Sequence, residues 1–401
     1  MAIELISAFQ DATGYGTFAA WAKWLTTAFT NFGWQQTTDY GQVNWTNLAT
    51  SNVVPQSSSN TGWTSYQAAA SIGTGAGGFA ASGGSLVIAC AVTTGLAAGK
   101  AIQLSLLAGT GSSAGISAYN GYILTITSVV ASTSVTVACP ASWSFTYTAT
   151  AGTVTIQPAF MIFESNDSLS SIAPIYVKLE LYAYQNTNTP SFRVTVGLGG
   201  TNGYGSLVAP VTAALTSTSY QNDTTNLRPC YASGDAGSFR CTILNPIGVG
   251  SNDPYLGQWM VIARSRDTSG NPTSNYVMLW VGGYDAAAPC AFQTVFSAGG
   301  INLEDTQGFL IGALANPAAA NNYSGAFSGV TMVTPIFQNV GGLSNPTPDF
   351  LGGFAKDFPV NTLALITVYG VQHNYISLVS TGAGPKIGPV SATYAALLFR
   401  F

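Results

Sequence analysis

Ile175-Tyr176-Val177-Lys178-Leu179-Glu180-Leu181-Tyr182 is the stretch that decides the fold class. Successive side chains of a β-strand point to opposite faces. The octet therefore puts Ile175, Val177, Leu179 and Leu181 on one face, and Tyr176, Lys178, Glu180 and Tyr182 on the other. One face is built for burial, the other for water or a contact. Similar apolar or alternating runs follow at 160–164 (FMIFE), 192–197 (FRVTVG), 259–265 (WMVIARS) and 276–281 (YVMLWV). The last third adds 309–312 (FLIG), 363–369 (LALITVY) and 395–401 (AALLFRF). Residues 267–275 (DTSGNPTSN) carry the Gly, Asn and Pro of a loop joining two strands. Other connections are long, which favours a sandwich with elaborated loops over a compact barrel.

One helix is expected ahead of these strands. Phe18, Trp21, Leu25, Phe29 and Phe32 recur at three- and four-residue spacing, with Thr17 as N-cap and Gly33 as stop. The spacing predicts a helix over 17–32 with its aromatic stripe in the core and Trp24 at the stripe's edge.

Between helix and strands lies a second unit. Residues 71–81 collapse into Gly, Ala and Ser, and 148–153 (TATAGT) is similarly poor, so both read as linkers. They bracket short strands at 85–90 (SLVIAC), 101–106 (AIQLSL), 121–127 (GYILTIT) and 134–138 (SVTVA). The expected organisation is a mainly β protein. Residues 1–72 and 158–401 form one discontinuous β-sandwich core domain with the N-terminal amphipathic helix, and 73–157 form an inserted small β-barrel or sandwich module.

Composition removes several classes of function. Charged residues make up 6% of the 401, against about 25% in an ordinary domain. Disordered chains combine high charge with low hydrophobicity, whereas this one is 47% hydrophobic with 20 Phe, 19 Tyr and 8 Trp. No apolar run approaches the roughly 20 residues of a spanning helix, so no membrane span is expected. The start at Met1 shows no basic, apolar and small-residue succession of a signal peptide. Lys and Arg total 11, scattered along the chain, too few to neutralise a run of phosphates, so nucleic acid is not expected as a partner. Cys90, Cys139, Cys230, Cys241 and Cys290 form no CxxC pair and His373 is the single histidine, which leaves no zinc spacing. No metal or cofactor is expected. Cys230 and Cys241 flank the turn-rich 231–237, either as a hairpin disulfide or as buried thiols; the odd cysteine count leaves at least one unpaired.

Catalytic constellations are equally sparse. His373 has no nucleophile elbow. Glu164 with Asp167, and Glu304 with Asp305, are the nearest carboxylate pairs, but an extended chain would point each pair apart. The run 197–203 (GLGGTNG) lacks the Gly-Lys-Ser/Thr ending and the helix of a phosphate loop, so it reads as a turn. Sequon matches at Asn44, Asn222 and Asn322 read as chance. Glu180 with Arg264 is a candidate inter-strand ion pair that fixes register. Trp63, Tyr119, Trp143 and Tyr204 are aromatic residues on loops able to stack on sugar rings.

Several segments carry a family resemblance. They are 33–45 (GWQQTTDYGQVNW), 161–169 (MIFESNDSL), 173–180 (APIYVKLE), 194–205 (VTVGLGGTNGYG) and 263–273 (ARSRDTSGNPT). Together they resemble a group of largely uncharacterised virion proteins of tailed bacteriophages, over most of residues 15–65 and 158–285. The inserted unit, through 95–104 (GLAAGKAIQL), 120–129 (NGYILTITSV) and 134–137 (SVTV), resembles a small β-module of phage tail and fibre proteins. The resemblance implies a virion structural protein of the tail or head-to-tail machine (tail, baseplate or fibre attachment). It would be made in the host cytoplasm, act without catalysis as a homo-oligomer, and have copies of itself and other virion proteins as partners. The group offers no catalytic signature to carry over. A carbohydrate-binding protein for host attachment, with a host surface glycan as partner, is the alternative, as is a capsid decoration protein. A tail-borne glycan hydrolase ranks last.

Overall fold

The computed structural model describes residues 8–12, 18–43, 45, 54–55, 69–73, 75–183, 190–209, 211–212, 214–218, 230–243, 258–267, 271–282, 290–296, 301–302, 309–311, 333–340, 343–354, 363–368, 371–380 and 395–400. The protein is mainly β; the described residues hold one α-helix and a closed barrel of six strands.

All of the decisive octet except Ile175 lies in a strand, Tyr176–Ala183, in the middle of a sheet. It pairs antiparallel with Ala159–Glu164 on one side and Pro190–Gly197 on the other. Leu215–Thr218 and Gln35–Gln36 extend this second sheet, and Val54–Pro55 runs parallel to its central strand. In register, Met161, Leu179 and Val194 face the same way, as do Phe163, Val177 and Val196; all six are buried. A first sheet lies against this apolar face. It runs in the order Ala8–Ala12, Cys230–Asp235, Ser238–Ile243, Gln258–Arg266, Pro272–Gly282, Cys290–Phe296, Ile301–Asn302. Phe239, Cys241, Met260, Ile262, Leu279 and Val281 from this sheet join the same core.

The helix, Phe18–Asn31, seals the sandwich. Ala22, Leu25, Ala28, Phe29 and Phe32 are buried while Lys23, Thr27 and Thr30 are exposed. Trp24 is buried too, so the stripe is wider than the spacing alone predicts. Gly33 ends the helix at φ +93, with its N–H on Thr30 O and the Trp34 N–H on Phe29 O. That is a Schellman stop, which glycine makes without a Cβ penalty. Phe29 is the keystone: its ring stacks on Phe163 of the second sheet at 4.6 Å and on Phe239 of the first at 3.8 Å. Trp34 meets Phe29 edge-on and donates its indole N–H to Asp235 O.

The outer face of the first sheet is buried as well, including Val261, Ala263, Met278 and Arg240. A C-terminal sheet touches it, with Arg400 O accepting from Ser233 Oγ. Its order is Phe309–Ile311, Val333–Val340, Leu343–Phe354, Ala395–Arg400, Val371–Ser380, Leu363–Val368.

The barrel closes in the order Phe145–Gln157, Gly75–Ser82, Ser85–Ala89, Ser134–Ala138, Ile123–Val130, Ala101–Gly109 and back to Phe145–Gln157. It has its own core, with Phe79, Leu86, Ile88, Leu104, Leu124 and Val137 among its members. Of the two forms expected for this unit, the closed barrel is the one observed. Two sequence expectations need correction here. Residues 71–81 and 148–153 are not linkers: most of the first, and all of the second, lies in barrel strands or the adjoining strand Ala69–Ser71. Small residues sit there because the wall curves tightly; a Cβ on Gly152 would stand 2.7 Å from Ile72 Cδ1. The long strand also shifts register twice against Ala101–Gly109, and such bulges let a sheet bend to closure.

The segment between Cys230 and Cys241 is itself a hairpin, turning at Ala236-Gly237. That turn pairs Cys230 with Ile243 and Cys241 with Ala232, so the two cysteines are diagonal neighbours on one face and not a directly opposed pair. Both are buried, and no disulfide joins them. Burial pushes the Cys241 thiol up, and Cys230 nearby adds to the effect.

Candidate functional site

The sandwich and the barrel meet at a built junction. Two segments of the sandwich reach across: the turn at 37–43 after the helix, and the glycine-rich turn at 198–207 after Pro190–Gly197. Gln42 fixes the first. Its amide donates to Thr37 O at 2.8 Å, and its Oε1 accepts from Ile162 N at 2.8 Å. Asp39 fixes the second, accepting from Thr201 Oγ1 at 2.9 Å and from Gly205 N at 3.2 Å. Tyr40 N also donates to Gly203 O.

The barrel then docks on these two turns. Ile123 N donates to Tyr204 O at 3.0 Å, and Thr125 Oγ1 reaches Gln42 O at 3.5 Å. Two glycines are required by the close approach. A Cβ on Gly41 would lie 2.5 Å from Ile123 O, and one on Gly205 would lie 2.5 Å from Phe160 Cζ; both have φ near +80. The turn at 198–207 is thus a wedge between second sheet and barrel.

Behind the wedge lies the polar face of the decisive strand. Glu180 pairs in register with Arg193 and receives both its Nε (2.7 Å) and Nη2 (2.9 Å). Lys178 Nζ stands 3.7 Å from Glu180 and 4.5 Å from the centre of the Phe160 ring. Burial drives Lys178 below its ordinary value. Burial alone would raise Glu180, but Lys178 and Arg193 outweigh it and hold the carboxyl below the usual carboxylate range. Tyr176 donates to Glu164 at 3.1 Å; burial, with this bond, pushes its hydroxyl up to about 12. The expected Glu180–Arg264 pair is absent because the two residues belong to different layers. Arg264 lies in the first sheet and binds Asp167 through Nε at 2.6 Å and Nη2 at 2.8 Å, and Ala173 O through Nη1. It pins the 165–173 loop to the sandwich.

On the solvent side of the junction runs a row of aromatic rings. Tyr40 stacks with Tyr204 at 5.7 Å, and Tyr204 lies on Tyr122 at 3.8 Å and 6°. Trp143 is 5.6 Å from Tyr204 and meets Tyr119 edge-on at 4.8 Å. Phe145, 4.9 Å from Tyr119, continues the row to Tyr147 at 4.8 Å. All seven rings are half-buried. Burial and the neighbouring Tyr147 hydroxyl push the Tyr119 hydroxyl up. Three of the four aromatics singled out from the sequence, Tyr119, Trp143 and Tyr204, are brought together here; Trp63 lies outside the described residues. Sequence reasoning missed Tyr40, Tyr122, Phe145 and Tyr147. Tyr40 and Tyr122 carry one signal, a neighbouring glycine in a turn, Gly41 and Gly121; Phe145 and Tyr147 carry none.

The catalytic candidates are not brought together. Glu164 accepts from Tyr176, while Asp167 faces Arg264. His373 is half-buried on Val371–Ser380, edge-on to Tyr375 at 6.5 Å. Glu304, Asp305, Asn44, Asn222 and Asn322 lie outside the described residues. Among the described residues no three His, Cys, Asp or Glu groups gather as a metal site, and no helix is long and apolar enough to cross a membrane. Comparison of the sequence with known protein families and with curated proteins gives no match.

Proposed function

We propose that this chain is a structural protein of a tailed-bacteriophage virion, a non-catalytic part of the tail or head-to-tail machine that works as several copies. The observation that carries the reading is the distribution of charge. From Tyr40 to Phe163 the only charged side chain is Lys100, and its ammonium donates to Gly95 O. Such a surface puts no electrostatic barrier between copies or neighbours. The C-terminal sheet supports the same reading: its edge strand Leu363–Val368 carries no charge and exposes Leu363 and Leu365 at 67% and 61%. Monomeric proteins usually guard such edges with charge, proline or bulges. The resemblance of 33–45, 161–169 and 173–180 to phage virion proteins supplies the particle.

The test is mass analysis of the purified chain together with antibody-gold labelling of particles from lysed host cells. The reading requires a multimer at micromolar concentration and label at a fixed place on the tail or neck. A monomer that never co-purifies with particles would overturn it.

A further inference from the structure

We propose that the aromatic row across the junction is a binding site for an uncharged glycan, with Trp143 as its anchor. This inference stands on the junction alone and does not depend on the virion reading. Two folding units each contribute rings, Tyr40 and Tyr204 from the sandwich and Tyr119, Tyr122, Trp143 and Phe145 from the barrel, so the row exists only where the barrel is docked. Neither core absorbs these rings; they stay partly exposed beside the barrel core. Contiguous half-exposed aromatic surface of this kind marks an interaction site.

Charge selects the class of ligand. In the described barrel, Lys100 is the only ionic side chain and it is turned to Gly95 O. Asp39, beside the row, is buried and committed to Thr201 and Gly205. A phosphate or carboxylate brought onto the row would lose water and gain no counter-charge, which is costly. A neutral ligand meets no such penalty. The Trp143 side chain is already hydrogen-bonded to the Tyr204 hydroxyl, and the Tyr119 hydroxyl to Tyr147; each hydroxyl still keeps an acceptor lone pair for a sugar hydroxyl. Ser142 and Ser144 on either side of Trp143, with Asn120 and Asn202 further along, are exposed. Apolar ring faces rimmed by small hydroxyl and amide groups complement a pyranose, which presents C–H faces and a rim of hydroxyls.

A protein partner is disfavoured by the same rim. Interface cores draw on Arg and Met as well as aromatics, and here the neighbours are Ser, Asn, Gly and Ala. Trp143 is the anchor because it sits on a turn, its backbone N–H bonded to Pro140 O, between two exposed serines. Tyr122 and Tyr204, by contrast, cover each other's faces at 3.8 Å, whereas the rings around Trp143 stand farther off, Tyr119 edge-on at 4.8 Å and Tyr122 at 6.0 Å.

The test uses the full chain titrated calorimetrically with maltohexaose, cellohexaose, mannohexaose and galactohexaose, with hexagalacturonate and a proline-rich peptide as controls. At least one neutral hexaose should bind saturably, and Trp143→Ala should weaken it about tenfold, the scale of one lost aromatic contact, while Trp143→Phe keeps most of the affinity. Saturation-transfer NMR on the unmodified protein, irradiating aromatic protons, should pass magnetisation to the sugar, which keeps the proposal testable if Trp143→Ala fails to fold. It is overturned if no neutral hexaose binds, if only the charged sugar or the peptide binds, if Trp143→Ala binds unchanged, or if no aromatic transfer is seen.

Discussion

The barrel and the sandwich solve the same problem by different means. The barrel's one charged residue is Lys100, and a mostly aliphatic core around Phe79 holds its wall together. Its strands pair all the way round, so it has no open edge to protect and no register left free to slip. The sandwich has open edges and long connections, and its buried charges act as pins. Glu180 and Arg193 sit opposite each other across two strands, and Arg264 with Asp167 ties a loop to a sheet. A closed barrel has no edge that needs charge to guard it, and in the sandwich charge stands where layers or registers are fixed. The junction belongs to neither pattern, being built from backbone hydrogen bonds, glycines and rings.

The contrast can be broken first at the keystone. Phe29→Ala removes the ring between Phe163 and Phe239 and should cost about 3–5 kcal/mol. Hydrogen exchange should show the loss at Val177 and Ile262 in the sandwich, with Leu124 and Val137 in the barrel far less affected. Equal loss in both units would mean that they share one cooperative core. Next comes the junction. Gly205→Val forces a Cβ against Phe160 and Ile123 at positive φ, so the turn should leave its place. Exchange of the Ile123 amide should then rise by orders of magnitude while both cores stay protected. An Ile123 amide as slow as in the parent would remove the wedge from the account.

A smaller effect is expected from Glu180→Gln, and it should depend on pH. The folded carboxyl lies below its unfolded value, so its contribution is present above about pH 4.3 and is lost as pH falls through the folded value. The variant should melt below the parent at neutral pH and converge with it in acid. Parallel melting curves from neutrality into acid would show that the pin is idle. Tyr176 gives the opposite sign: its folded value of about 12 means stability is lost as pH rises from about 10, and Tyr176→Phe should flatten that alkaline slope. The smallest change is at Leu106, 75% exposed with φ +53 at the barrel's bulge. Leu106→Gly relieves left-handed strain of about 1–2 kcal/mol at an entropy cost of about 0.5–1. A slight rise in melting temperature is therefore expected, and a fall would show that Leu106 makes a contact that matters.

Much of the sandwich was legible because its code is local. Alternation in 175–182 set two faces, and both are seen; aromatic spacing placed the helix within a residue at each end. What was not legible depends on partners far away in sequence. Cys230–Asp235 is mostly small residues that read as a turn, and it is a strand because Ala8–Ala12 and Ser238–Ile243 pair with it and other layers cover both its faces. The low-complexity runs read as linkers for the same reason, since composition alone does not tell a flexible glycine from one packed under Ile72 and Leu107. Charge alone matches Glu180 with Arg264, but the layer assignment that separates them is a tertiary property. At the aromatic row, residue type pointed to Tyr119, Trp143 and Tyr204, while their convergence needed the docking of two units.

That docking is the central claim, because the wedge and the aromatic row both require it. Nitrogen-15 relaxation of the intact chain tests it most directly. Amides of Leu124 and Val137 in the barrel and of Val177 and Ile262 in the sandwich should report one common tumbling time; a distinctly shorter time for the barrel amides would contradict the account.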